Sequence, residues 1–144
     1  MRTPIALPAA AAALVLALAA PAAAKQLESL EVCGPTTCID RTADAGDDPH
    51  RLMDAGAPYD GAVRAAPFVQ LRIGIGDGSG EVFGHTTLRF VPDAGLLLAE
   101  DGTWLQPPPD VAALLRRLSG GVDRFPAARL PGTTPVRATP PPAA

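Results

Sequence analysis

The chain has 144 residues, 47% of them apolar, with 12 Lys and Arg against 15 Asp and Glu and a formal net charge of −3. That balance excludes a nucleic-acid backbone binder, which needs a basic face, and it is far too mild for a polyanionic tail. Two cysteines are too few for a metal site built on paired Cys-x-x-Cys motifs.

Residues 1–24 read as a signal peptide. Arg2 supplies the positive n-region, Ile5 to Ala20 is an Ala/Leu-rich apolar run, and Pro21 breaks the helix ahead of the small-residue site Ala22-Ala23-Ala24. The run falls short of the about 20 apolar residues of a spanning helix. We therefore expect cleavage after Ala24, a secreted or extracytoplasmic location, and no stable membrane anchor afterwards. What remains suits a single domain at 25–127, followed by a Pro-rich, disordered tail at 128–144. Lys occurs once, at Lys25, against eleven Arg, a usage that points to a GC-rich bacterial genome.

After the leader, Gln26 to Val32 predicts a short strand with Leu30 and Val32 on one face. It runs into Cys33-Gly34-Pro35-Thr36-Thr37-Cys38, where Gly-Pro signals a turn. An even cysteine count in an exported chain predicts a disulfide between Cys33 and Cys38. Redox-active pairs are usually two residues apart at a helix N-terminus, so the structural staple is preferred and a thiol–disulfide protein using Cys33 and Cys38 is the alternative.

Residues 43–58 form an acidic, irregular loop. Asp44, Asp47, Asp48, Asp54 and Asp60 lack the order of acids, Gly and distant Glu that a calcium loop requires. Asp47-Asp48-Pro49 reads as a solvated turn opening one helical turn at His50–Met53. Pro67 to Gln106 is the centre of the design. Val69, Leu71, Ile73 and Ile75 alternate with Gln70 and Arg72, the period of a half-buried strand, and Gly74 marks a bulge or a close neighbour. Gly76 to Gly80 is a hairpin loop. The dinucleotide pattern fails there at Ser79, and no helix follows.

Val82 to Val91 predicts the returning strand, Leu96 to Ala99 a third, and Thr103 to Gln106 a fourth, with Asp101-Gly102 as a two-residue turn between the last two. Pro107 to Pro109 stop the sheet. Asp110 is expected to cap a helix at Val111 to Ser119, in which Val111, Leu114, Leu115 and Leu118 form one stripe. Val122 to Pro126 is expected to dock as an extended segment anchored by Phe125.

Candidate functional residues are few. His85 starts the second strand of the meander and is the centre of a less favoured alternative, a small hydrolase. The scarce serines offer it no nucleophile elbow. Trp104, the single Trp, is a candidate binding anchor, against the plainer expectation that it packs beneath the helix. No residue set calls for a cofactor or a metal.

The layout of leader, two-Cys hairpin, Pro92-Asp93-Ala94-Gly95-Leu96 turn, Trp strand and helix ending in Gly resembles uncharacterised small secreted proteins of GC-rich bacteria over residues 28–127. The resemblance implies an exported domain and brings no activity or functional residue with it. The expected fold is α+β, an antiparallel meander of about four to six strands with one C-terminal amphipathic helix packed on it. The expected function is that of a monomeric, non-enzymatic domain binding a protein or cell-envelope component through an exposed strand edge or the Gly76–Gly80 loop.

Overall fold

Alternation of apolar and polar side chains lays out one antiparallel sheet whose two faces are covered by different parts of the chain. The structure, a computed structural model, describes residues 25–46 and 50–133. The leader 1–24, the Asp47-Asp48-Pro49 turn and the tail beyond residue 133 lie outside the described residues. The strands are β1 (Gln26–Cys33), β2 (Cys38–Asp40), β3 (Ala57–Pro58), β4 (Val69–Gly76), β5 (Val82–Val91), β6 (Leu96–Leu98) and β7 (Trp104–Gln106). The helices are α1 (His50–Met53) and α2 (Pro109–Leu118), with 3-10 turns at Ala43–Ala45 and Ala127–Arg129. All seven strands join one sheet in the order β2-β1-β4-β5-β6-β7-β3.

The α+β class holds, and the sheet is wider than expected because of β3. That strand lies in the stretch read as an irregular loop and pairs Ala57 with Gln106 and Pro58 with Leu105. Two residues carry no alternation of their own; the pairing is made by the distant partner. Proline is tolerated there because the strand is an edge.

One face holds the larger core. Leu30 and Val32 of β1, Val69, Leu71 and Ile73 of β4, Phe90 and Leu97 pack with Val111, Leu115 and Leu118 of α2, Leu52 of α1, and Ala45. The register stacks them in rows, Leu30 beside Ile73, Val32 beside Leu71, and Val69 beside Phe90. Each buried side chain of this kind contributes roughly 1.5–3 kcal/mol, and α2, too short to hold alone, depends on that packing. The helix starts one residue earlier than its expected cap. Pro108 is the N-cap and Pro109 opens the first turn, where a missing N–H costs nothing. Asp110 is inside that turn and pairs with Arg51 at 2.9 Å.

Among the described residues, the opposite face is covered at one end. Phe68, Val91, Leu98 and Leu130 are buried together, with Trp104 and Phe125 packed on them. Phe68 and Phe125 exchange backbone hydrogen bonds of 3.2 and 2.8 Å, and their rings stack at 5.1 Å, so the extended segment docks through Phe125 as expected. Two expectations are corrected here. Trp104 packs on the face away from α2, because its partner across the ladder is Leu98. Ordered chain also continues past residue 127, since Leu130 reaches the gap beside Phe68 and is 4% exposed.

The β6–β7 connection differs as well. Ala99 and Thr103 are bonded at 2.9 Å and Gly102 donates to Ala99 O at 3.0 Å, which makes a three-residue loop of Glu100, Asp101 and Gly102. Gly102 takes φ 87°, the left-handed position that such loops reserve for glycine. At the other side of the sheet Cys33 and Cys38 face each other across the β1–β2 ladder and are bonded, with Cα atoms 4.0 Å apart.

Candidate functional site

The β4–β5 hairpin positions the site. β4 is central and flanked by β1 and β5, and it carries two glycines where its neighbours crowd in. A Cβ on Gly74 would lie 2.2 Å from Ser29 Oγ, and one on Gly76 would lie 2.2 Å from the Glu81 carbonyl. At that level both flanking strands break register. On β1 the slip is between Leu27 and Ser29, leaving Glu28 extra; on β5 Gly84 pairs with Ile75 and Val82 with Gly76, leaving Phe83 extra. Bulges of this kind bend a strand and redirect a side chain. Glu28 turns to the hairpin tip and accepts the Gly78 N–H. Phe83 is pushed out to solvent and, at 61% exposure, is the one large apolar side chain exposed among the described residues.

Among the described residues, no strand pairs with the outer side of β5 from Val82 to Thr87. β6 is short and pairs only with Arg89, Phe90 and Val91. The run from Val82 to Thr87 is therefore bonded to β4 on one side and open on the other. Thr87 sends its N–H outward to Glu100 Oε1 at 2.9 Å, and the alternation of an antiparallel ladder puts the His85 N–H and carbonyl on the same outer side. The open edge is short of the devices that usually blunt one: it carries no Pro and no Lys, and among the described residues no strand or helix covers it. The Glu100 carboxylate closes it at Thr87 and the Phe83 bulge bends it at the other end.

Two acidic turns bracket this edge. The β4–β5 turn carries Asp77 and, at its exit, Glu81; the β6–β7 turn carries Glu100 and Asp101. Asp77 is held below its ordinary value by hydrogen bonds from Ser79, and Asp101 by hydrogen bonds from Thr103. None of the four is in an ion pair among the described residues. The positive groups nearby, Arg72 and Arg89, share the open face of the sheet with His85 rather than its edge.

The candidate residues are scattered. His85 stands on the open edge, exposed, opposite Gly74, with no hydrogen bond to its ring among the described residues. Trp104 is two strands away and half-buried. Cys33 is buried and Cys38 exposed at the far side of the sheet. Surface grooves lie elsewhere. One of about 510 Å³ runs between Ala45, Arg51 and α2, and one of about 410 Å³ is bordered by Tyr59, Val63, Arg64 and Leu96. His85, Trp104, Cys33 and Cys38 line neither. Phe83, Glu81 and Glu100 escaped the sequence reading. Phe83 had a signal: Val82-Phe83 breaks the alternation just before Gly84, as a bulge does.

No protein-family model, curated protein or solved structure matches the chain.

Proposed function

We propose that this chain is an exported, non-enzymatic binding domain that takes up an extended segment of a protein or envelope component along the outer edge of β5. The observation that carries the reading is the run Val82–Thr87, without a strand on its outer side among the described residues, with Phe83 exposed within it. Main-chain hydrogen bonds from such an edge supply affinity to any extended chain, and side-chain contacts at alternate positions supply selectivity. Phe83 is the apolar contact a partner side chain covers, and His85 offers a polar contact two residues on. The bulge and the Glu100 cap limit the site to a short segment and protect the edge from open-ended polymerisation. Export rests on the leader-like residues 1–24 and accords with the Cys33–Cys38 bond, which needs an oxidising compartment.

Site-specific photo-crosslinking in producing cells tests both parts. A crosslinker in place of Phe83 should yield one discrete adduct in the extracytoplasmic or medium fraction, and one in place of Ala113, exposed on α2, should not. The same sample should give a mature mass beginning at Lys25. Equal labelling from both positions, or none from Phe83, would remove the edge from consideration.

A further inference from the structure

The acidic turns at the two ends of the edge say more about what pairs with it. The open run is about 20 Å long from Glu81 to Thr87 at the usual strand rise. Glu81 marks one end and Glu100, bonded to the Thr87 N–H, marks the other. Glu100 lies two residues past Leu98, which pairs with Arg89, and so stands opposite Thr87, where an incoming strand has to stop. A second copy of this chain pairing antiparallel through its own β5 would bring Glu81 of one molecule against Glu100 of the other, twice. Like charges directly opposed across a ladder are destabilising. The arrangement therefore disfavours self-pairing and favours a strand with cations at both ends.

We infer that the occupant of the β5 edge is a short extended protein segment, uncharged and β-forming in its centre and carrying Lys or Arg at each end. The inference rests on the edge-binding reading above and adds the charge of the partner. The cations face Glu81 with Asp77 behind it at one end, and Glu100 with Asp101 at the other. The centre of the segment lies against His85 and Phe83. Arg72, opposite Thr87, and Arg89, two residues beyond it, share the neighbouring face at the Glu100 end and partly offset that carboxylate, so Glu81 carries the larger part of the preference.

The test uses the full exported chain and three end-blocked synthetic peptides that share a five-residue alternating Val/Thr core and differ only in their flanks: Lys at both ends, Gln at both ends, or Glu at both ends. Binding is followed by the amide resonances of His85 and Thr86 at low salt. The Lys-flanked peptide should bind about tenfold more tightly than the Glu-flanked one, the sum expected of two exposed charge contacts, and the gap should close at 1 M salt. The double variant Glu81→Gln, Glu100→Gln retains an acceptor for the Thr87 N–H while removing both charges, and its affinities for the three peptides should converge. Equal affinities in the parent chain would overturn the charge inference and leave the edge reading standing. No peptide binding, with His85 unperturbed, would overturn both. A dimer in sedimentation with the His85 amide protected from exchange would replace the peptide by a second copy.

Discussion

The Thr42 hydroxyl finishes the β1 ladder where β2 has already ended. It accepts the Leu30 N–H at 3.0 Å and donates to Asp40 Oδ1 at 2.6 Å, while the Arg41 N–H returns to the Leu30 carbonyl at 2.8 Å. Leu30 is fully buried, so its amide has no recourse to water. Thr42→Val keeps the shape and strands that amide, which should cost about 1–3 kcal/mol; Thr42→Ser should stay near the parent. Urea midpoints compare the three chains, and equal midpoints for Val and Ser would show the bond to be dispensable. The same contact sets an acid dependence. The Thr42 hydroxyl, then the Thr42 backbone N–H, hold Asp40 below its ordinary value of 3.8, and Asp77 and Asp101 are lowered by Ser79 and Thr103. A carboxyl lowered in the folded state adds stability that is fully present above its unfolded value and is lost as pH falls through the folded one. These groups should leave stability flat from pH 7 to 5 and subtract from it below about pH 4. Melting curves of Asp40→Asn should show a shallower acid limb than the parent.

At the scale of the element, the β1–β2 hairpin has two independent fastenings. The Cys33–Cys38 bond closes so short a loop that chain entropy assigns it only about 2 kcal/mol, whereas β1 is also paired with β4 from Gln26 to Cys33. Replacing both cysteines by Ala should lower stability by about that amount and raise the exchange of the Ile39 amide, with the Leu71 and Ile73 amides still protected. Loss of protection in β4 would mean that the bond holds the sheet and not the hairpin. The elements that could be read from sequence share a property: their signal is local. β4 and β5 announce themselves by alternation across a glycine loop, α2 by its stripe of Val111, Leu115 and Leu118, and the hairpin by Gly-Pro between two Cys. What could not be read is set by distant chain. β3 exists only because β7 pairs with it, Glu28 and Phe83 are extra only relative to β4, and the open edge of β5 depends on how far β6 reaches beside it. The sequence therefore offered two kinds of contact surface, an exposed strand edge or the Gly76–Gly80 loop, and no means of placing the open edge.

The whole molecule is held by two unequal covers over one sheet. α2, α1 and the Ala43–Ala45 turn close the helix face along most of its length, whereas one end of the opposite face is closed by residues late in the described chain, Phe125 and Leu130. Phe125 is tied by two backbone bonds to Phe68, but Leu130 is held by packing and by a 3-10 turn whose N–H bonds run to Pro126 and Ala127 at 2.9 and 3.0 Å. Removing Leu130 exposes Phe68, Val91 and Leu98, which are 2%, 0% and 2% exposed with it in place, without touching the helix-side core. Leu130→Ala should therefore cost about 2–5 kcal/mol, and a chain ending at Pro126 should lose a similar amount, because the Phe68–Phe125 bridge survives both changes. Urea unfolding of the two variants measures this directly. A truncated chain as stable as the parent would mean that Leu130 adds nothing to the closure of that face. A truncated chain much less stable than Leu130→Ala would mean instead that the Phe125 bridge depends on the turn after it, and that the second cover is one cooperative unit from Val122 onward.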